Sequence, residues 1–312
     1  MKHVLTLTIA LLAAKVASSA DVNDGPFDGT PFRPNAPITW GVTTTLPQSI
    51  AVYKPLSERV SQAVISNAMA IGSFKTINRV RSKDTNIIEF RDSPRPETLT
   101  RFLKMSVNAG WIKYNDNLAG AAPVHGVPSV AEAEKRALRY FILLGGGTNQ
   151  LSSKPWPHHE GTFETYDKAG GKLLSKGVSS SWVCLFRQID GIQVLDNSLS
   201  VEFGNDAKPI MLDMNWPHFQ PIHRYRTATR DEIVDFLKSG RAFYPVFPEW
   251  PKVGTAKTIT IKSLQPLYSV GIGPGSQDLL RPFGSLAMEA DVGGSRIRFA
   301  LNCPITTGEE IR

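Results

Sequence analysis

Ser129-Val130-Ala131-Glu132 opens an apolar-periodic run that ends at Gly145, and Thr229-Arg230-Asp231-Glu232 opens a second that ends at Gly240. Both openings have the form Ser/Thr-x-x-Glu, in which hydroxyl and carboxylate satisfy amide donors that a helix start leaves without partners. Both closings are glycines, which take the left-handed conformation of a helix end without a Cβ clash. In the first run Ala133, Ala137, Leu138, Phe141 and Leu144 share one face. In the second, Ile233, Phe236 and Leu237 do. Spacing of this kind predicts two amphipathic helices that must each bury a stripe.

Alternating runs follow each helix. After the first, Leu199, Val201 and Phe203 alternate with Ser200 and Glu202, Gly204-Asn205-Asp206 turns the chain, and Ile210, Leu212, Met214 and Trp216 return. Further pieces are predicted at Thr162–Tyr166 and Trp182–Ile189. After the second come Ile259 and Ile261, Leu286 and Met288, a Gly293-Gly294 turn, and Ile297, Phe299 and Leu301, with Arg296 and Arg298 on the wet side. Period-two patterning of this kind marks half-buried antiparallel strands. The reading is an α+β fold in which a helix packed on an antiparallel sheet is laid down in tandem. Module boundaries are expected at 129–228 and 229–312. Residues 21–128 form an N-terminal α+β region that reads as a degenerate copy, with a helix over Leu56–Gly72, strands at Asn86–Arg91 and Gly110–Tyr114, and a short helix or turn over Glu97–Met105.

Residues 1–20 read as a signal peptide: Lys2 and His3, an apolar run from Val4 to Ala14, and a small-residue cleavage site at Ser18-Ser19-Ala20. The apolar run is too short to span a bilayer, and no later stretch is long and apolar enough to do so. A secreted or periplasmic product without a transmembrane segment is expected once the signal is cut. Composition is that of a globular chain, 41% apolar and 20% charged, so disorder is not favoured. The formal charge of +7 is scattered, with no Lys/Arg block of the kind that grips nucleic acid.

Phe186-Arg187-Gln188-Ile189-Asp190-Gly191-Ile192-Gln193-Val194, then Leu199 to Phe203 and Asn205 to Ile210, resembles the PepSY/FTP modules of thermolysin-type propeptides. It is also similar to extracytoplasmic regulators of cell-wall-sensing histidine kinases. The sequence departs from that pattern at Gln193, where proline is usual, and at Ala207, where glycine is usual. The resemblance implies tandem cystatin-like modules with no catalytic residues or cofactor of their own. It also implies a partner: such modules inhibit, chaperone or sense a protein. An exported, non-catalytic binding, inhibitory or regulatory protein acting on a protein or cell-envelope polymer is therefore the expected function.

The rival chemistry is metal-assisted hydrolysis. His158 and His159, with His218 and His223 from a later segment, are the residue types a divalent metal takes. Neighbouring histidines on an extended chain point apart, and HEXXH spacing is absent, so loop histidines at the surface are the simpler reading. No Gly-x-Ser-x-Gly elbow surrounds Ser179-Ser180-Ser181. Gly271 to Gly275 contains a proline and lacks the Lys-Ser/Thr tail of a phosphate loop. Trp-Pro occurs at Trp156, Trp216 and Trp250. Each indole either caps a core edge or joins Tyr225 in an aromatic rim for a partner. Cys184 alternates with Trp182 and Phe186, and Cys303 with Phe299 and Leu301, which places both thiols on apolar strand faces. They either bridge or pack as free small hydrophobes.

Overall fold

The computed structural model describes residues 31–311 except 81, 83, 94–99, 109, 122, 168–170, 172, 245–254 and 271–278. The signal-peptide reading, Gly271–Gly275 and Trp250 therefore lie outside the described residues. Three helices stand among seventeen strands there: α1 over Gln62–Ile71, α2 over Val130–Leu143 and α3 over Arg230–Lys238.

The helix ends follow their local chemistry. Ser129 Oγ accepts from the Glu132 amide at the start of α2, while the Glu132 carboxylate turns to Arg136 instead of back to the cap. At α3 the box is complete, with Thr229 Oγ accepting from the Glu232 amide and Glu232 accepting from the Thr229 amide. Gly145 and Gly240 both take positive φ, at 88° and 76°. The amides that follow them return to Phe141 and Phe236, closing the last carbonyls. Helix α1 starts later than the periodicity suggests, because strand Ser49–Leu56 continues into Leu56 and Ser61 provides the cap.

Two compact units interleave along the chain. The first is built from Leu56–Gly191 and Asn197–His218. Its sheet runs from Arg79–Val80 through Ile87–Arg91, Arg101–Ser106 and Trp111–Asp116 to Pro209–Asn215, each pair antiparallel. Residues 199–203 follow next to 209–215, then Leu173–Ile189, with His158–Tyr166 as the outermost strand. Of the helix or turn expected over Glu97–Met105, residues 97–99 lie outside the described residues and Arg101–Ser106 is a strand. Both α1 and α2 feed one core: Ala68, Ala133, Ala137 and Phe141 pack with Phe90, Leu103, Met105, Leu185, Val201 and Met214. Asn67 donates to the Leu143 carbonyl at 2.7 Å and ties the two helices together.

The second unit takes the chain up to Pro55, Ile192–Asp196 and Phe219–Arg312. Its body is a long hairpin of Thr258–Val270 with Leu280–Val292, extended by Ser295–Cys303. Ile38–Trp40 and the Gln193-Val194 stretch both add to Thr258–Val270 in parallel, so the pairing is mixed. Ile233, Phe236 and Leu237 of α3 are buried, as are Ile259, Ile261, Leu286, Met288 and Leu301.

This architecture corrects the expectation of tandem cystatin-like modules. The chain is dominated by sheet, and α2 does not head a module of its own. Trp111–Asp116, from the region read as a separate copy, is in register with Pro209–Asn215 from Asn115↔Met211 to Trp111↔Asn215. Nor does α3 head a third copy, since its unit is completed by strands from the N-terminal region. Alternation tells which face of a strand is wet, but it does not name the neighbouring strand.

Cys184 and Cys303 are both free and buried, so no bridge links them. The core face of Leu173–Ile189 carries Val183, Leu185, Arg187 and Ile189, the set opposite to Cys184.

Candidate interaction surface

The strand His158–Tyr166 and the first part of Leu173–Ile189 form a hairpin arm at one edge of the first unit. At its base the pairing is regular, from His158↔Val183 to Gly161↔Ser180. Further out the register shifts twice, between Gly161 and Thr162 and between Thr165 and Tyr166. Both extra residues, Ser179 and Leu174, sit on the inner strand. A bulge strengthens local twist and bends the ribbon that carries it. The outer strand is left regular.

Local contacts hold the arm. Lys176 Nζ lies 2.7 Å from Glu164, its cross-strand partner, and Tyr166 donates its hydroxyl to the same carboxylate at 2.5 Å. These bonds hold the Glu164 carboxyl below its usual range, Lys176 first, and the bond to Glu164 raises the Tyr166 hydroxyl. The Phe163 ring lies over Gly177: a Cβ there would come within 2.9 Å of it. The ring covers backbone that the glycine leaves bare.

What distinguishes the arm is how little of it is covered. Tyr166, Leu173 and Leu174 are 50%, 47% and 61% exposed and sit together at its outer end, so they account for three of the large apolar side chains facing solvent. Scattered exposed apolar residues are ordinary, whereas three at the end of one hairpin make a candidate contact surface. The backbone adds a second feature. Among the described residues only Leu173–Ile189 pairs with His158–Tyr166, so the outer edge of this strand is open. At the far side of the same sheet the edge strand is Arg79–Val80, two residues long. Short edges resist adventitious pairing, and long open ones invite it.

Residues expected to form an aromatic rim are placed otherwise. Trp156 is buried, donates its indole N–H to the Ser152 carbonyl at 3.0 Å and carries the Lys154 ammonium over its ring. Trp216 is buried edge-on to Phe141 at 4.6 Å between ring centres. Both indoles therefore serve the core of the first unit. Tyr225 is half-buried on His218–Thr227, opposite Glu310 and 6.1 Å from the His223 ring.

The four histidines do not converge. His158 and His159 are exposed neighbours on one strand, facing opposite sides. His218 lies 3.3 Å from Glu58, and His223 lies 2.8 Å from Glu310. Among the described residues no three His, Cys, Asp or Glu side chains group as metal ligands. Next to His223 is a small open depression of about 260 Å³ lined by Ala51, Pro221, Ile222, Arg224 and Ile311. It is below the usual size of small-molecule clefts.

One buried group escaped the sequence reading. Arg187, only 2% exposed, donates to the Asn197 side-chain oxygen at 3.3 Å, to the Pro217 carbonyl and to Gln150. Its guanidinium also sits 5.0 Å from the Trp216 ring centre, and burial brings its pKa down to about 10. This network fastens two loops to the sheet and is closed to solvent, so it is part of the frame behind the arm.

No helix among the described residues is long and apolar enough to cross a membrane. No protein family and no curated protein matches the sequence. Among solved structures the chain is similar to an uncharacterized protein from Eubacterium rectale ATCC 33656, with 13% identity over 89% of this chain and 90% of that one and a TM-score of 0.47.

Proposed function

We propose that the chain is an exported, non-catalytic binding protein that engages a protein partner through the arm of His158–Tyr166 and Leu173–Ile189, in an inhibitory or regulatory role. The observation that carries this reading is the open nine-residue edge of His158–Tyr166 ending in exposed Tyr166, Leu173 and Leu174. An extended segment of a partner can add to such an edge through main-chain hydrogen bonds while apolar side chains supply affinity. Export is supported by the signal-like residues 1–20. The resemblance of residues 186–210 to PepSY/FTP modules supports a protein partner.

The test is cross-linking of the mature chain in an envelope or secreted extract, beside a Tyr166→Ser/Leu173→Ser/Leu174→Ser variant. A discrete protein adduct that disappears with the variant is expected. An identical adduct pattern for both proteins would overturn the reading.

A further inference from the structure

We infer that the partner paired along this edge is a second copy of the same chain, with the two His158–Tyr166 strands antiparallel about a two-fold axis at Gly161. This inference rests on the binding reading above and deepens it.

The edge itself is the first argument. From His158 to Tyr166 the strand has no proline, no lysine and no bulge residue of its own, three of the devices by which natural edges refuse a neighbour, and its carboxylates are Glu160 and Glu164. Every side chain from His158 to Tyr166 is exposed or half-buried.

Symmetry then restricts the register. In an antiparallel strand, every second residue turns its amide and carbonyl to the outer edge. Two identical edges can therefore match only about a residue, not about a peptide bond. Centring on Glu160 sets the two Glu160 carboxylates opposite each other. Centring on Thr162 sets Glu160 against Glu164 twice. Like charges directly opposite are destabilising.

Centring on Gly161 removes both conflicts. It pairs His158 with Glu164, His159 with Phe163 and Glu160 with Thr162, and each pair occurs twice. The imidazole can donate to the carboxylate, whose oxygens have room for a third bond beside Lys176 and Tyr166. The residue on the axis has no side chain. The same antiparallel register lays the outer end of each arm alongside the base of the other.

Sedimentation equilibrium on the mature chain tests this with a charge exchange. Wild type is expected to dimerise at micromolar concentrations. His158→Glu sets carboxylate against carboxylate and is expected to weaken the dimer about tenfold. The exchanged variant His158→Glu/Glu164→His restores an unlike pair and is expected to recover most of that loss. Circular dichroism identical to wild type shows that each variant is folded. A monomeric wild type at about 100 μM, an unweakened His158→Glu, or an exchanged variant as weak as the single one would each overturn the self-pairing. Arm-dependent capture of a different protein by a monomeric chain would leave the binding reading standing while refuting the second copy as its partner. A wild-type dimer that follows the charge exchange, in a chain that captures no different protein, would support the second copy as the occupant of the edge.

Discussion

Arg187 and Ala207 are the two residues whose surroundings most oppose their chemistry. A buried guanidinium needs hydrogen bonds to offset its lost hydration, and the two terminal nitrogens of Arg187 reach Asn197, Gln150 and the Pro217 carbonyl. Arg187→Ala strands those acceptors and should cost about 3 kcal/mol in urea unfolding. Arg187→Lys should recover little, because an ammonium cannot reproduce the planar fork over Trp216. Ala207 lies at φ 53° directly after Asp206 at φ 56°, on the tight connection before Pro209–Asn215. Left-handed backbone costs an L-residue roughly 1–2 kcal/mol, more than the ~0.8 kcal/mol its buried methyl returns. Ala207→Gly should therefore raise stability by about 0.5 kcal/mol, and a lowered melting temperature would contradict this account.

The arm and the helices behave as opposites among the elements. The helices carry their instructions locally: caps at Ser129 and Thr229, closing glycines, and a stripe that matches the core. The arm depends on a few cross-strand contacts and has almost no buried apolar area beneath its outer half. Isolated two-stranded ribbons are marginal in water. Amides of 162–166 and 173–177 should therefore exchange hydrogen well before those of 199–203 and 209–215. Phe163→Ala uncovers the Gly177 backbone and should speed that exchange further while leaving the unfolding free energy measured in urea within about 0.5 kcal/mol of wild type. Equal protection across all four segments would show that the arm is held by something other than its own ladder.

Across the molecule, both thiols sit in apolar surroundings, and burial pushes Cys184 and Cys303 up to about 12. A hydrogen bond with Ser198 pulls Cys184 slightly the other way. An exposed thiol titrates near ~8.5, so above that pH the unfolded chain releases protons that the folded chain keeps. Stability should then fall as pH rises from about 8.5 toward 12, by up to ~1.4 kcal/mol per pH unit for each thiol, and should be insensitive to these groups below 8.5. Urea midpoints at pH 7.5 and 9.5 check this, with Cys184→Ala/Cys303→Ala expected to flatten the slope. A reducing agent should leave the melting temperature unchanged, since there is no bridge to open.

Helix positions, their caps, the turns at Gly204-Asn205-Asp206 and Gly293-Gly294, and most core residues are local matters, and the residues announce them. Buried Leu199, Val201, Phe203, Leu212 and Met214 match the alternation, as do Ile233, Phe236 and Leu237 on α3. Strand partners are not local. Whether Trp111–Asp116 closes its own small sheet or joins Pro209–Asn215 depends on which pairing buries more, and both choices satisfy the same alternation. Arg187 hid the core face of its strand, because a cation among Val183, Leu185 and Ile189 made the opposite set look the more apolar. The open edge is harder still to see in the sequence. Its letters, Tyr166, Leu173 and Leu174, read like any strand, and only the end of the sheet at His158–Tyr166 leaves them uncovered. Short-range chemistry writes itself into consecutive residues; which edge stays open is decided when distant segments compete for the same hydrogen bonds.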